Sequence, residues 1–179
     1  MWHHFNYERA AEMRRKYIPI EKVLSVADLS TTDVIMDVGG GDGFYSNLFS
    51  EKCSKVYYVD ASNSAVNMVK DKLSGKKGKV EIIQDDICTM KLPKELTKVF
   101  FSNSFHDLGC RETLIDRIVG NSSGTVKFIL IEFKKDASIG PPESMKIHPD
   151  ELDSLFKRHG YVLERREFLA EHYVSSYGR

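Results

Sequence analysis

The stretch from Val34 to Ser46, VIMDVGGGDGFYS, constrains this chain more than any other. An apolar run ends in Gly39, Gly40, Gly41 and Gly43 and then gives way to a helical pattern. Glycines at 39, 41 and 43 permit positive φ and let a ligand lie directly on the backbone. The segment therefore predicts a strand, a tight turn and a helix whose first N–H groups can receive an anion. Two acids, Asp37 and Asp42, stand in the same turn. A phosphate loop of the GxxxxGK[ST] type needs a lysine that is absent here, and the dinucleotide spacing GxGxxG fails because Phe44 or Ser46 occupies its third glycine position. Like charges ~4 Å apart repel by roughly 4 kcal/mol at an intermediate dielectric. Asp37 and Asp42 thus oppose a pyrophosphate and suit a ligand with positive charge beside a nucleoside.

Apolar runs and helical patterns alternate along the remainder, without internal repeat, low-complexity tract or proline-rich linker. Residues 5–17 and 19–29 read as amphipathic helices, with Pro19 suited to a first turn. FYSNLFSEK, SNSAVNMVKDKL, RETLIDRIV and HPDELDSLFKRHG also read as helices, the second capped by Ser62 or Ser64. Runs rich in β-branched and aromatic residues, KVYYVD, KVEIIQDD, KVFFSNS and TVKFILIEF, read as strands. YVLERREFLA and HYVSSYG leave little room for a helix between them and read as an antiparallel pair. Alternation of this kind predicts an α/β fold with a mostly parallel sheet. Ligands of such sheets bind beyond the carboxyl ends of the strands, where strand order reverses.

Two further loops bear on the ligand. Asp60 ends the second strand, with Ala61 next, and a carboxylate there can accept both ribose hydroxyls. Asp85 and Asp86 end the third, where a carboxylate can accept from an adenine amino group and the N–H of Ile87 can bind a ring nitrogen. A lone strand-end aspartate is more often a turn or helix cap, but three in consecutive loops after a glycine turn point to one ligand. S-adenosylmethionine fits: a sulfonium and an ammonium for the acids, and one carboxylate for the helix N-terminus.

DVGGGDG, YYVDAS and QDDI together resemble the class I S-adenosylmethionine-dependent methyltransferases, from about residue 30 to 179, and most closely their small type 11 group. The resemblance implies a Rossmann-like doubly wound sheet of seven strands in the order 3-2-1-4-5-7-6, strand 7 antiparallel, with helices on both faces. It implies cofactor contacts from Asp37, Gly39, Gly40, Gly41, Gly43, Asp60, Ala61, Asp86, Ile87 and Asn103. One departure is Asp85, where the family usually has glycine. The chain then divides as one methyltransferase domain, 1–179. Residues 1–29 are N-terminal helices suited to a lid, 30–135 the cofactor-binding core, 136–149 a loop near the acceptor site, and 150–179 the last helix and the antiparallel strand pair.

The methyl acceptor should sit beyond the fourth strand, where the resemblance makes Asn103, Ser104, Phe105 and His106 pocket candidates. His106 and Asp107 could supply a base, since imidazole titrates near neutrality and a carboxylate can orient it. The [DN]PP[YFW] loop of amino-directed nucleic-acid methyltransferases is replaced by NSFH, and 26 basic against 26 acidic residues leave no overall basic footprint. Both argue for a small-molecule acceptor and against nucleic acid. The lysine-rich run 70–79 reads as a solvated loop, Gly140-Pro141-Pro142 as a stiff rim, and His148 as part of a helix start. His3 and His4 lack a third ligand at sensible spacing, so no metal is expected. Scattered Cys53, Cys88 and Cys110 predict reduced thiols and a cytoplasmic setting. No run approaches the ~18 apolar residues that span a bilayer. A different class of function is a cofactor- or partner-binding module without turnover, its pocket sealed by Phe105 and the Pro-Pro loop. An enzyme instead needs an open acceptor cavity beside the methyl position.

Overall fold

The computed structural model describes residues 6–76 and 78–179. Along the chain run α1 (Tyr7–Tyr17), α2 (Ile20–Ala27), β1 (Val34–Val38), α3 (Phe44–Ser50), β2 (Lys55–Asp60), α4 (Asn63–Lys72), β3 (Val80–Gln84) and β4 (Lys98–Ser102). There follow α5 (Arg111–Asn121), β5 (Lys127–Phe133), α6 (Pro149–Arg158), β6 (Val162–Phe168) and β7 (His172–Gly178). The seven strands form one sheet in the order β3-β2-β1-β4-β5-β7-β6. β7 runs antiparallel to both β5 and β6, and the other pairings are parallel. The order expected from the sequence is the order found.

Alternating side chains build the two faces. On β4, Val99 and Phe101 join Met36, Phe128 and Leu130 under α5 and α6, while Phe100 points the other way to Ile35, Ile129, Val23 and Phe49. β1, β4 and β5 are buried nearly throughout, as expected of strands covered on both sides. Helix starts follow the side chains that can accept an N–H. Ser62 caps α4 by accepting from Ala65, and His148 caps α6 by accepting from Asp150. Pro19 stands at the N-cap of α2, one place before the predicted first turn.

The thiol expectation is corrected. Cys88 and Cys110 are joined, with Cα atoms 5.8 Å apart, and only Cys53 is free among the three, buried, its thiol pushed up to about 11 by burial. The bond ties the segment after β3 to the N-cap of α5. The same segment is held by Arg117, which donates to the carbonyls of Ile87, Cys88 and Met90, and by Asn121, which donates to those of Leu92 and Pro93. A separation of 22 residues gives no sequence cue, because packing of α5 against this segment brings the cysteines together. With two of three thiols joined, cysteine usage no longer argues for a reducing compartment. Among the described residues, no helix is long and apolar enough to cross a membrane.

Closing a loop of this length removes about 3 kcal/mol of unfolded-chain entropy. Calorimetry should therefore show a melting temperature lower by about 6–12 °C for the C88S/C110S double variant than for the unreduced protein. Equal melting temperatures would mean that the bond contributes nothing to the fold.

Candidate functional site

A cavity of about 840 Å³ opens at the carboxyl ends of β1, β2, β4 and β5, where strand order reverses between β1 and β4. Its size suits a small-molecule site. The glycine turn forms one side, α1 and residues 138–141 form the others. Phe105 does not seal it: that ring is fully buried in the core, against Phe101 and Phe156. Pro141 stands at the cavity wall without closing it.

The turn is shaped by contacts that exclude side chains. Gly39 has φ 69°, its N–H donates to Val59 O at 2.8 Å, and an added Cβ would lie 2.7 Å from Ser104 Cβ. Gly43 has φ 70° and caps α3, but a Cβ there would meet Val69 of α4 at 2.9 Å. Gly43 therefore serves helix packing and does not line the cavity, whereas Gly39, Gly40 and Gly41 do. The Tyr58 hydroxyl fastens the turn by donating to Gly41 O at 2.8 Å.

The acids near this turn differ in state. Asp37 is 1% exposed and accepts from Ser46 Oγ at 2.7 Å; burial, with Asp60 and Asp42 adding repulsion, pushes it up to about 7. Burial also raises Asp42, but the Arg14 guanidinium outweighs it and holds the carboxyl below its usual range. Arg14 grips Asp42 with two hydrogen bonds, 3.1 and 2.8 Å, and lies 4.0 Å over the Phe44 ring. Asp60 accepts from the N–H groups of Gly41 (3.0 Å) and Ser62 (2.8 Å), leaving lone pairs on both oxygens. The expected excess of negative charge is thus smaller than the sequence implies, because α1 brings a cation to Asp42.

Asp37 and Asp60 converge on the cavity; Ala61, Asp86 and Ile87 do not line it. Asp86 is exposed and accepts from the N–H of Cys88 at 2.9 Å, and Asp85 accepts from the N–H of Asp86 at 2.8 Å. Both do the local turn work weighed against the ligand role. The Ile87 side chain is buried in the core. Lysines of the run 70–79 also bind locally: Lys72 donates to Asp42 O, Lys76 pairs with Glu51, and Lys79 donates to Ser50 O.

Beyond β4 the chain turns sharply at Asn103, φ 53°, a conformation asparagine tolerates better than most residues. Ser104 Oγ donates to Val38 O at 2.7 Å, closing the turn onto β1. His106 lines the cavity, and its partner is one the sequence reading missed. Its Nδ1–H donates to Glu132 Oε2 at 2.7 Å, and its backbone N–H reaches Glu132 Oε1 at 3.2 Å. Glu132 is fully buried on β5. Burial alone would lower the His106 pKa, but the hydrogen bond and charge of Glu132 outweigh it and the net shift is upward. Asp107 lies 3.5 Å from the other ring nitrogen, Nε2, and is largely exposed. The signal for Glu132 was available: it is the one acid in the apolar run TVKFILIEF.

His172, at the start of β7, was also missed. It is 1% exposed, and burial pushes its pKa down to about 4. Its Nε2 lies 3.3 Å from Asn103 Nδ2. Among the described residues, Arg14 Nε, Tyr45 Oη, Asn103 Oδ1 and His172 Nδ1 are the buried side-chain polar atoms without a partner, and all four residues line the cavity. Such atoms are costly unless a ligand or water satisfies them. No group of three His, Cys, Asp or Glu among the described residues could hold a metal ion. Trp2, His3, His4 and Phe5 lie outside the described residues.

Residues 35–120 match the family model described as "Methyltransferase domain". The chain is 35% identical over 75 residues to the "Probable ribosomal RNA small subunit methyltransferase A" of Methanococcoides burtonii, covering 42% of this chain and 27% of that protein. It is 25% identical over 114 residues to an rRNA adenine N-6-methyltransferase of Limosilactobacillus reuteri, covering 64% and 46%. The chain thus spans about a quarter to a half of the curated relatives it matches. A SAM-dependent methyltransferase structure from Aquifex aeolicus superposes with a TM-score of 0.83 at 22% identity, covering 97% of this chain and 98% of that one.

Arg14→Ala should strip α1, which buries no residue of its own, of its main anchor and leave Asp42 half-buried without a cation. The expected loss is ~1–3 kcal/mol, read as faster amide exchange across residues 7–17 with the sheet unaffected. Unchanged exchange in α1 would show that the Arg14–Asp42 pair does not hold the helix down.

Proposed function

We propose that this chain is a class I S-adenosylmethionine-dependent methyltransferase, as its match to a methyltransferase domain over residues 35–120 supports, and that it methylates a small molecule seated between His106 and the 138–141 loop. Bound S-adenosylmethionine would supply an electrophilic methyl group on a sulfonium. Asp37 and Asp60 would hold the ammonium and ribose, with Gly39, Gly40 and Gly41 as the floor against which they lie. The cofactor carboxylate would fall to Arg14, a cavity-lining cation whose buried Nε–H has no partner among the described residues. Arg14 and Asp37 together match the zwitterionic tail of this cofactor, and Asp60 its ribose. α1 then acts as a lid that carries a binding residue. Asn103, expected among the cofactor contacts, lines the cavity with its amide nitrogen 3.3 Å from His172 Nε2.

The observation that supports transfer most is the buried His106–Glu132 pair at the cavity wall. Glu132 fixes the imidazole as the Nδ1–H tautomer, which leaves the Nε2 lone pair to take a proton from an acceptor O–H or N–H as the methyl–heteroatom bond would form and the methyl–sulfur bond break, its electron pair staying on sulfur as a neutral thioether. The proton ends on Nε2, where Asp107 at 3.5 Å offsets the new charge. Positioning the acceptor in line with the methyl supplies the rest of the acceleration. An open cavity beside this pair favours an enzyme over a binding module.

A second reading, methylation of an RNA base, draws support from the names of the relatives and from cations Arg9, Arg15 and Lys16 on α1. NSFH in place of the amino-directed loop stands against it. Incubating cell extract with the protein and labelled cofactor separates the two: the small-molecule reading expects label in low-mass products and the other expects it in RNA.

Asp37 links cofactor binding to pH. An ammonium placed beside it stabilises the carboxylate and lowers its pKa from about 7, so binding at or below neutral pH releases protons. Affinity for S-adenosylhomocysteine should rise with pH up to about 7 and then level. Calorimetric titration in two buffers of different ionisation heat measures the release. Binding with no proton release would remove Asp37 from the ammonium contact, and no binding at millimolar ligand would defeat the cofactor assignment.

His106 carries the second pH prediction. Its ring should titrate above the ordinary value of 6.5, seen by NMR, and activity should climb with pH through the same inflection because the base must be neutral. Glu132→Gln removes the charge that raises it and leaves burial, so the inflection should move below the ordinary value. An unchanged inflection would show that Glu132 does not set the base.

A further inference from the structure

The crossover from β3 to β4, residues 85–97, contains no helix, unlike the crossovers that carry α3, α4 and α5. One side of α5 holds it instead. Cys110 at the N-cap takes Cys88, Arg117 takes the carbonyls of Ile87, Cys88 and Met90, and Asn121 takes those of Leu92 and Pro93. The last two holds are hydrogen bonds that no reductant touches. The first is covalent, and electrons can open it. Both of its cysteines are partly exposed, whereas Cys53 is 2% exposed in the core under α2 and α3.

With the bond open, Arg117 still pins the segment of Cys88 against α5, so the two sulfurs stay within reach of each other. Opening and closing therefore need no refolding. What changes is the other end. Cys110 closes the loop that carries His106. The start of that loop is fast, with Ser104 on Val38 and His106 on Glu132. Leu108 rests against the core, but Asp107 is largely exposed and an added Cβ on Gly109 would meet nothing within 4 Å. Cys110 caps α5 without a side-chain hydrogen bond. The disulfide is thus the side-chain anchor at the join of loop and helix.

We propose that Cys88–Cys110 is a reversible thiol–disulfide exchange site whose partner is a dithiol reductant, and that its state sets how firmly the Asp107 end of the loop is held. What the loop does rests on the methyltransferase reading; the exchange site does not. A thiolate of the reductant attacks Cys88 Sγ, the S–S bond breaks, and Cys110 leaves as a thiolate whose charge the first N–H groups of α5 favour. The second thiolate of the reductant then attacks its own sulfur in the mixed disulfide and releases Cys88. The dithiol ends as a disulfide, and its two electrons and two protons end on Cys88 and Cys110 as thiols.

Dithiothreitol serves as the probe, in buffers of graded reduced-to-oxidised ratio without denaturant. Alkylation with mass spectrometry counts thiols, amide exchange reads the loop, and far-ultraviolet circular dichroism reads the fold. Reduction should expose Cys88 and Cys110 to label, leave Cys53 unlabelled and leave the dichroism unchanged. It should raise exchange at residues 107–111 at least about tenfold relative to β1. Oxidised dithiothreitol should restore the starting state. In C88S/C110S those amides should exchange at the fast rate in every buffer. A bond that resists excess dithiothreitol, loss of the dichroism on reduction or failure of the bond to re-form would each overturn the proposal. So would unchanged exchange at 107–111, or a variant that still responds to the dithiol. No cofactor or acceptor enters these readings, so failure of methyl transfer is a separate result that bears on the methyltransferase reading alone.

Discussion

A carboxylate with no solvent exposure must be matched where it stands, and among the described residues Glu132 is matched by His106. Both of its oxygens accept from His106, one from the ring and one from the backbone N–H. The second bond matters as much as the first, because it closes the chain after β4 onto β5 and so fixes where the ring can be. Parallel pairing of β4 with β5, Ser102 opposite Ile131, sets the two ends at a common height. Ser104 then binds back to β1. The crevice opened by the reversal of strand order is thereby given one rigid wall.

The opposite wall is ruled by charge rather than packing. Asp37 is placed by the turn out of β1 and kept by Ser46 of α3, and its environment makes ionisation expensive until something positive arrives. Asp42 already has its cation. α1 buries no residue of its own, so its position over the cavity depends on polar contacts such as Arg14 on Asp42 and Tyr7 on Ser62. A helix held this way can lift at modest cost, which suits an element that covers a site ligands must enter.

Most of the fold was legible because the strands are apolar on a period of two or nearly solid, and because glycine, serine and proline punctuate them. The glycine turn and Asp60 were legible for the same reason: local backbone needs show in local sequence. What escaped was everything made by residues distant in the chain. Glu132 meets His106 across β4 and β5, Asn103 meets His172 across 69 positions, and Arg14 reaches Asp42 across 28. Asp107 was the natural guess for the orienting acid because it is adjacent in sequence, yet adjacency turns it to the solvent side of the ring. The Cys88–Cys110 bond was missed for the same reason. Asp86 is legible in the other direction: one of its oxygens makes the local turn bond to Cys88 that any strand-end aspartate can make.

Two histidines within reach of one phenyl ring, that of Phe133, make the last point. One has a buried anion against it and is driven toward the charged form; the other has no such anion in hydrogen-bonding range and is driven toward the neutral form. Environments that separate two like groups in this way divide their labour. The histidine that can change charge can move a proton, and the one that cannot is free to act as a fixed hydrogen-bonding surface. Had both been exposed, or both paired with acids, they would have competed for the same proton and neither orientation would have been set. The division follows from where the one buried acid of β5 points: Glu132 bonds the His106 ring, while Glu171, next to His172, bonds Ser138 instead.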